Sequence, residues 1–160
     1  MTKTMRKKQI IHSASRIFAE NGYHNSSITD IIEKAGIARG TFYLYFKNKR
    51  EIFLVILNQM IQDVDSRVQR LSVQEGMDAI MKDLKTNIRD IFLYFDENRD
   101  FTRILLFYGY GLDTEIDQML DHFYASMKTI IQNSILLGQE WGIIAPLDVS
   151  IISSAILGII

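Results

Sequence analysis

The chain has 160 residues, 48% of them hydrophobic and 23% charged, with one proline, no cysteine and a formal net charge of −1. That is enough apolar material for a sizeable core and excludes a disordered tail, while the lack of thiols excludes disulfides and thiolate zinc sites and fits a cytoplasmic location. The near-neutral total hides a split: residues 1–50 hold ten Lys and Arg against three Asp and Glu, a net +7, and residues 51–160 hold eight against sixteen, a net −8, so a basic end that suits a polyanion adjoins an acidic body.

Apolar residues recur with a period near 3.6 and no alternating run is long enough for a strand, so the predicted class is all-α. The first fourteen residues are basic but lack the apolar core and cleavage site of a signal peptide. Ile10, Ile11, Ala14, Ile17 and Phe18 instead mark one face of a first helix that ends near Asn21 and Gly22. Ser27, with Asp30 three residues on, is placed to cap a second helix whose inward stripe is Ile28, Ile31, Ile32 and Ala35. Gly36 suits the left-handed residue that ends it, and Ile37 can plug the crevice before a third helix over 38–46. There Phe42 and Phe46 face inward, while Arg39, Thr41, Tyr43, Leu44 and Tyr45 point outward or to the flank, and Ala38 and Gly40 leave the backbone bare. Two short helices on a glycine turn, with a basic and aromatic outer face, read as a helix-turn-helix that reads duplex DNA. Asn48, with Glu51 at the third position, is placed to cap a fourth helix, putting Lys47 and Lys49 at a helix entrance beside the reading helix.

The remainder reads as long helices. A strut over 51–71 carries Phe53, Ile56, Met60, Val64, Val68 and Leu71 on one stripe. Gly76 precedes a helix over 77–98, and a shorter one over 101–110 ends at Gly109 and Gly111. Thr114 is the expected cap of the next, whose stripe runs through Ile116, Leu120, Phe123, Met127, Ile130, Ile131 and Leu137, and Asp148 opens a last helix through Val149, Ile152 and Ile156. The apolar run over 149–160 is about half the roughly 20 residues of a membrane span, so no membrane association is expected.

The run GIARGTFYLYFKNK, preceded by an amphipathic helix ending in AENGY and followed by a long apolar helix, resembles the TetR family of bacterial one-component repressors. The resemblance covers about the first third of the chain. It implies an all-helical homodimer: an N-terminal three-helix helix-turn-helix domain, 1–49, on a palindromic operator in double-stranded DNA, and a helical body, 50–160, that binds a small effector and dimerises. Matching positions make Thr29, Arg39, Gly40, Thr41, Tyr43, Tyr45 and Lys49 the DNA contacts. Ala38 departs from the Ser or Thr common in the family, and Leu44 from its polar or aromatic residue, although Leu44 still belongs to the reading face. Arg39 suits a base edge, Thr29, Tyr43, Tyr45 and Lys49 suit phosphates, and Lys7 and Lys8 suit flanking backbone. Members commonly continue into one further helix, so the C-terminal end is expected to be incomplete, with Val149, Ile152, Ile156 and Ile160 as candidate dimer contacts.

Nine of the sixteen Phe and Tyr residues fall between Phe92 and Tyr124. Rings at helical spacing serve equally as core packing or as the wall of a cavity for an apolar guest. With the resemblance to ligand-controlled repressors, they suggest a small hydrophobic or aromatic effector near Phe92, Phe95, Phe101, Tyr108, Phe123 and Met127, with Arg103 or His122 as polar anchor. An enzyme has little support: HExxH, GxSxG, a Walker loop and GxGxxG are all missing, and neither a cofactor nor a metal is called for. Asp113, Asp117 and Asp121, four apart, read as a solvated acidic face. The alternative function is a constitutive DNA-binding or DNA-organising protein without a small-molecule switch.

Overall fold

The inward stripes close into eight helices in a computed structural model, which describes residues 2–68 and 76–158 and holds no strand among them. Helix α1, Lys3–Asn21, is capped by Thr2, buries Ile10, Ala14 and Phe18 completely, and ends at Gly22 with φ of 77°. Helix α2, Ile28–Ala35, opens with a full capping box: the Asp30 amide donates to Ser27 Oγ, and the Ser27 amide donates to Asp30 Oδ2 at 2.7 Å. Such a cap is worth about 1 kcal/mol. Gly36 adopts the left-handed conformation at φ 60° and ψ 43°, as its position after Ala35 predicts.

Helix α3, Arg39–Tyr43, is shorter than the predicted 38–46, and Ala38 at its N-cap supplies no side-chain hydrogen bond. The chain leaves the helix at Leu44, although the Phe46 amide still donates to the Phe42 carbonyl at 3.0 Å, which lets both rings turn inward. Phe42 and Phe46 are buried, and rings of that size contribute roughly 1.5–3 kcal/mol each on leaving water. The early exit also brings Asn48 into place, where its side chain accepts the Glu51 amide at 2.8 Å and starts α4, Lys49–Arg67.

Helix α4 spans about 28 Å and buries Ile52, Phe53, Ile56, Leu57, Met60 and Val64. It stops at Arg67, so Val68 lies beyond the helix, and Leu71 of the predicted strut lies outside the described residues. Helices α5, Met77–Glu97, and α6, Arg99–Tyr108, pack against α4 and against each other, and α6 also lies along α1. Helix α7, Thr114–Glu140, is capped by Asp113 in place of the predicted Thr114: a carboxylate accepts two amides, those of Glu115 and Ile116, where a hydroxyl satisfies one. Helix α8, Val149–Leu157, capped by Asp148, runs back along α7 and delivers Leu157 to the core. One contiguous apolar core joins Ile10 of α1 to Met127 of α7. No helix among the described residues is long and apolar enough to cross a membrane.

Candidate nucleic-acid interface and effector cavity

Arg39, Gly40, Tyr43 and Leu44 stand exposed on and beside α3, Leu44 at 78%, with Thr41 partly exposed between them and Thr29 exposed on α2. The Arg39 guanidinium lies 6.0 Å from the Tyr43 ring, an arrangement that steadies a long cation without neutralising it. A Cβ added to Gly40 would meet nothing within 4 Å, so nothing inside the chain demands a glycine there. Lys7 and Lys8 are exposed on α1, Lys7 with its ammonium 5.8 Å from the Phe46 ring, which places α1 beside α3.

Two expected contacts are placed differently. Tyr45 is half-buried and packs against the core, because the turn at Leu44 swings it to the flank of α3. Lys49 is engaged within the chain: its ammonium donates to the Tyr23 carbonyl at 2.6 Å and the Ser26 carbonyl at 2.7 Å, and sits 4.3 Å from the Tyr23 ring. Partial burial depresses its pKa below that of free lysine. These carbonyls belong to the α1–α2 connection, so Lys49 ties α4 to that connection.

One residue on, Arg50 reaches the α6–α7 turn. Its Nε and Nη2 contact the two carboxylate oxygens of Asp113 at 2.7 and 3.1 Å, and Nη2 also contacts Glu115 at 2.6 Å. The hydrogen bond from Arg50, aided by the helix-capping amide of Ile116, holds the Asp113 pKa at about 2. The rest of the predicted acidic face is likewise engaged: Asp117 accepts the Gly111 amide at 2.8 Å and Asp121 accepts the Tyr110 hydroxyl at 3.0 Å. The row of carboxylates fastens the turn before α7, and is therefore more than a solvated face.

The predicted effector residues do not gather in one cavity. Phe101 borders an open polar groove with His12 and Asn98. Arg103 and Tyr108 border a surface hollow, and the Tyr108 ring also covers Gly22, where an added Cβ would lie 3.1 Å from it. His122 is exposed and bonded through Nδ1 to the Gln118 carbonyl of its own helix, so it anchors nothing in the interior. Phe95, Phe123 and Met127 line a narrow apolar gap of about 30 Å³.

The roomier apolar space lies farther along, between α5 and α7. Phe92, Met127, Ile130, Ile131 and Ile156 surround a chamber of about 200 Å³, and Ile80, Ile135, Trp141 and Ile144 help to line a second of about 310 Å³. Leu84, Ile88 and Ser134 line both. Sequence reasoning followed the rings and missed these aliphatic walls, although their spacing of three and four along α5 and α7 was visible. On α8, Val149 and Ile152 are half-buried, Ile156 is exposed while it borders a chamber, and Ile160 lies outside the described residues. Leu147 and Ile151 are exposed with Ile156, as are Leu136 on α7 and Ile143 on the α7–α8 connection.

A short exposed helix set on a glycine turn, at the basic end of an all-helical molecule with apolar chambers, defines a helix-turn-helix transcriptional regulator. The chain matches, over residues 10–56, the family described as bacterial regulatory proteins, tetR family. It is 27% identical over 160 residues to the uncharacterized HTH-type transcriptional regulator YdgC of Bacillus subtilis (strain 168), covering 96% of this chain and 76% of that one. The fatty acid degradation regulator FadR from Bacillus halodurans superposes with a TM-score of 0.72 at 25% identity, over 99% of this chain and 81% of that one. FadR from Bacillus subtilis in complex with stearoyl-CoA superposes at 0.67 with 27% identity, over 94% and 81%.

Proposed function

We propose that this regulator is a cytoplasmic repressor that binds a palindromic operator as a dimer and leaves it when an effector with a long apolar tail enters the body. In this reading residues 1–49 form the reading head and residues 50–160 the effector-binding and dimerising body. Arg39 addresses a base edge, Thr29, Thr41 and Tyr43 address phosphates beside the bare Gly40 backbone, Leu44 meets an apolar base edge such as a thymine methyl, and Lys7 and Lys8 hold flanking backbone. The apolar face around Leu136, Leu147 and Ile151 meets its copy in the dimer.

The observation that carries the switch is the pair of apolar chambers between α5 and α7. Apart from Phe92 and Trp141 their apolar walls are aliphatic, which suits an alkyl chain better than a planar aromatic guest, and similarity to a protein solved with stearoyl-CoA points the same way. A fatty acyl effector is accordingly the favoured class. The test is to select bound fragments from genomic DNA, then titrate the complex with acyl-CoAs. A regulated repressor loses affinity by roughly 5–150-fold, the usual range of such coupling. Retention of the operator at every chain length would leave a constitutive binder.

A further inference from the structure

We propose that the second chamber measures the effector's acyl chain, with Ser134 at its threshold and Trp141 at its end wall; this rests on the acyl reading above. The two chambers meet where Leu84 and Ile88 of α5 face Ser134 of α7, since these three residues line both. Along α7, at about 1.5 Å per residue, Ser134 lies about 16 Å beyond Phe123 of the narrow gap and Gly138 about 22 Å beyond it. Carbon–carbon bonds of about 1.5 Å advance an extended chain by about 1.25 Å each, so about thirteen carbons reach the threshold and about eighteen the far end.

The far end is bordered by a hydrogen-bonded turn. After α7 the chain turns back, and the amides of Ile143 and Ile144 both donate to the Gly138 carbonyl, at 2.8 and 3.0 Å. The Gln139 side chain pins the returning segment through the carbonyls of Ala145 and Leu147, at 3.1 and 2.8 Å. Ile144 consequently lies directly on Gly138: a Cβ there would come within 2.6 Å of its Cδ1. Lys85, the charged residue on this chamber, is exposed, so its stem lines the wall while its ammonium reaches water. The opposite end adjoins the narrow gap at Phe95 and Thr102 and then the open hollow with Arg99 and Arg103, where a polar headgroup can remain hydrated.

Trp141 is the chain's single tryptophan and therefore a built-in reporter of the end wall. Hexanoyl-, octanoyl-, palmitoyl- and stearoyl-CoA are titrated by calorimetry and by tryptophan emission on the full chain. Palmitoyl- and stearoyl-CoA are expected to bind and shift Trp141 emission, and the shorter pair to leave it unchanged. Ser134→Leu, which narrows the threshold, should weaken stearoyl-CoA by at least roughly tenfold, the loss of several buried methylenes, and leave octanoyl-CoA within about threefold. Gly138→Ala, which drives Ile144 toward the chamber, should move the preferred length to shorter chains. If no acyl-CoA binds the wild type, the acyl reading itself fails and takes this one with it. If long chains bind with Trp141 silent, or hexanoyl-CoA moves its emission as far as stearoyl-CoA, the measuring chamber is refuted while the acyl effector stands.

Discussion

Replacing Lys49 with methionine separates two roles for one cation. The ammonium donates to two backbone carbonyls of the α1–α2 connection and faces the Tyr23 ring. Hydrogen bonds from a charged donor contribute about 1.5–3 kcal/mol each when buried. Here the side chain is only partly buried and water can replace part of the loss, so the whole latch is worth about 2 kcal/mol. For a chain of this size that lowers the melting temperature by roughly 4–8 °C. Methionine keeps the apolar stem, so packing loss is small. The assay pairs thermal unfolding by circular dichroism with operator binding over a range of salt, well below the melting transition. The latch predicts a lower melting temperature and an unchanged slope of log affinity against log salt. A variant as stable as the wild type, whose slope is shallower by about 0.9, would show that Lys49 neutralises a phosphate and that its carbonyl contacts are incidental.

Arg39→Ala should relax sequence preference at one operator position by about 1–3 kcal/mol, whereas removing Lys7 and Lys8 together should weaken all duplexes alike and flatten the salt slope, as binding to a library of operator variants would show. Because Asp113 has its pKa depressed to about 2 from 3.8, its contribution is complete above the unfolded value and fades as pH falls through the folded one. Urea midpoints taken from pH 5 to pH 2 should therefore fall less steeply for Asp113→Asn than for the wild type. Gly22→Ala should destabilise by about 1–3 kcal/mol in denaturant titrations, since a side chain there takes φ of 77° and ψ of 166° and presses the Tyr108 ring.

Local chemistry was legible before the fold. Ser27 with Asp30, Gly36 and Asn48 each act over three or four residues, and all appear where their neighbours place them. Phe42 and Phe46 were equally readable, because their spacing fixes a shared face. What stayed hidden depends on partners far along the chain. Nothing near Lys49 announces that carbonyls 23 and 26 residues earlier await it, nor that Arg50 meets Asp113 from 63 residues away. The apolar chambers were missed for a related reason. Aromatic density drew attention to 92–124, yet rotation of about 100° per residue sends Phe107 to the outside and leaves Phe92 as the one ring of that stretch on a chamber otherwise walled mostly by isoleucine and leucine. Thr114 lost its cap to Asp113 because both are competent residues and only the α6–α7 turn decides which begins the helix.

The packing of α6 along α1, with the Tyr108 ring over Gly22, bears on how such regulators diversify. Recombination that exchanges the first fifty residues between cousins would bring in a foreign α1 surface and strand the native α6 against it. Specificity for DNA and specificity for metabolite are thus inherited as one piece of carpentry, and viable hybrids should be those whose crossover also carries the joint.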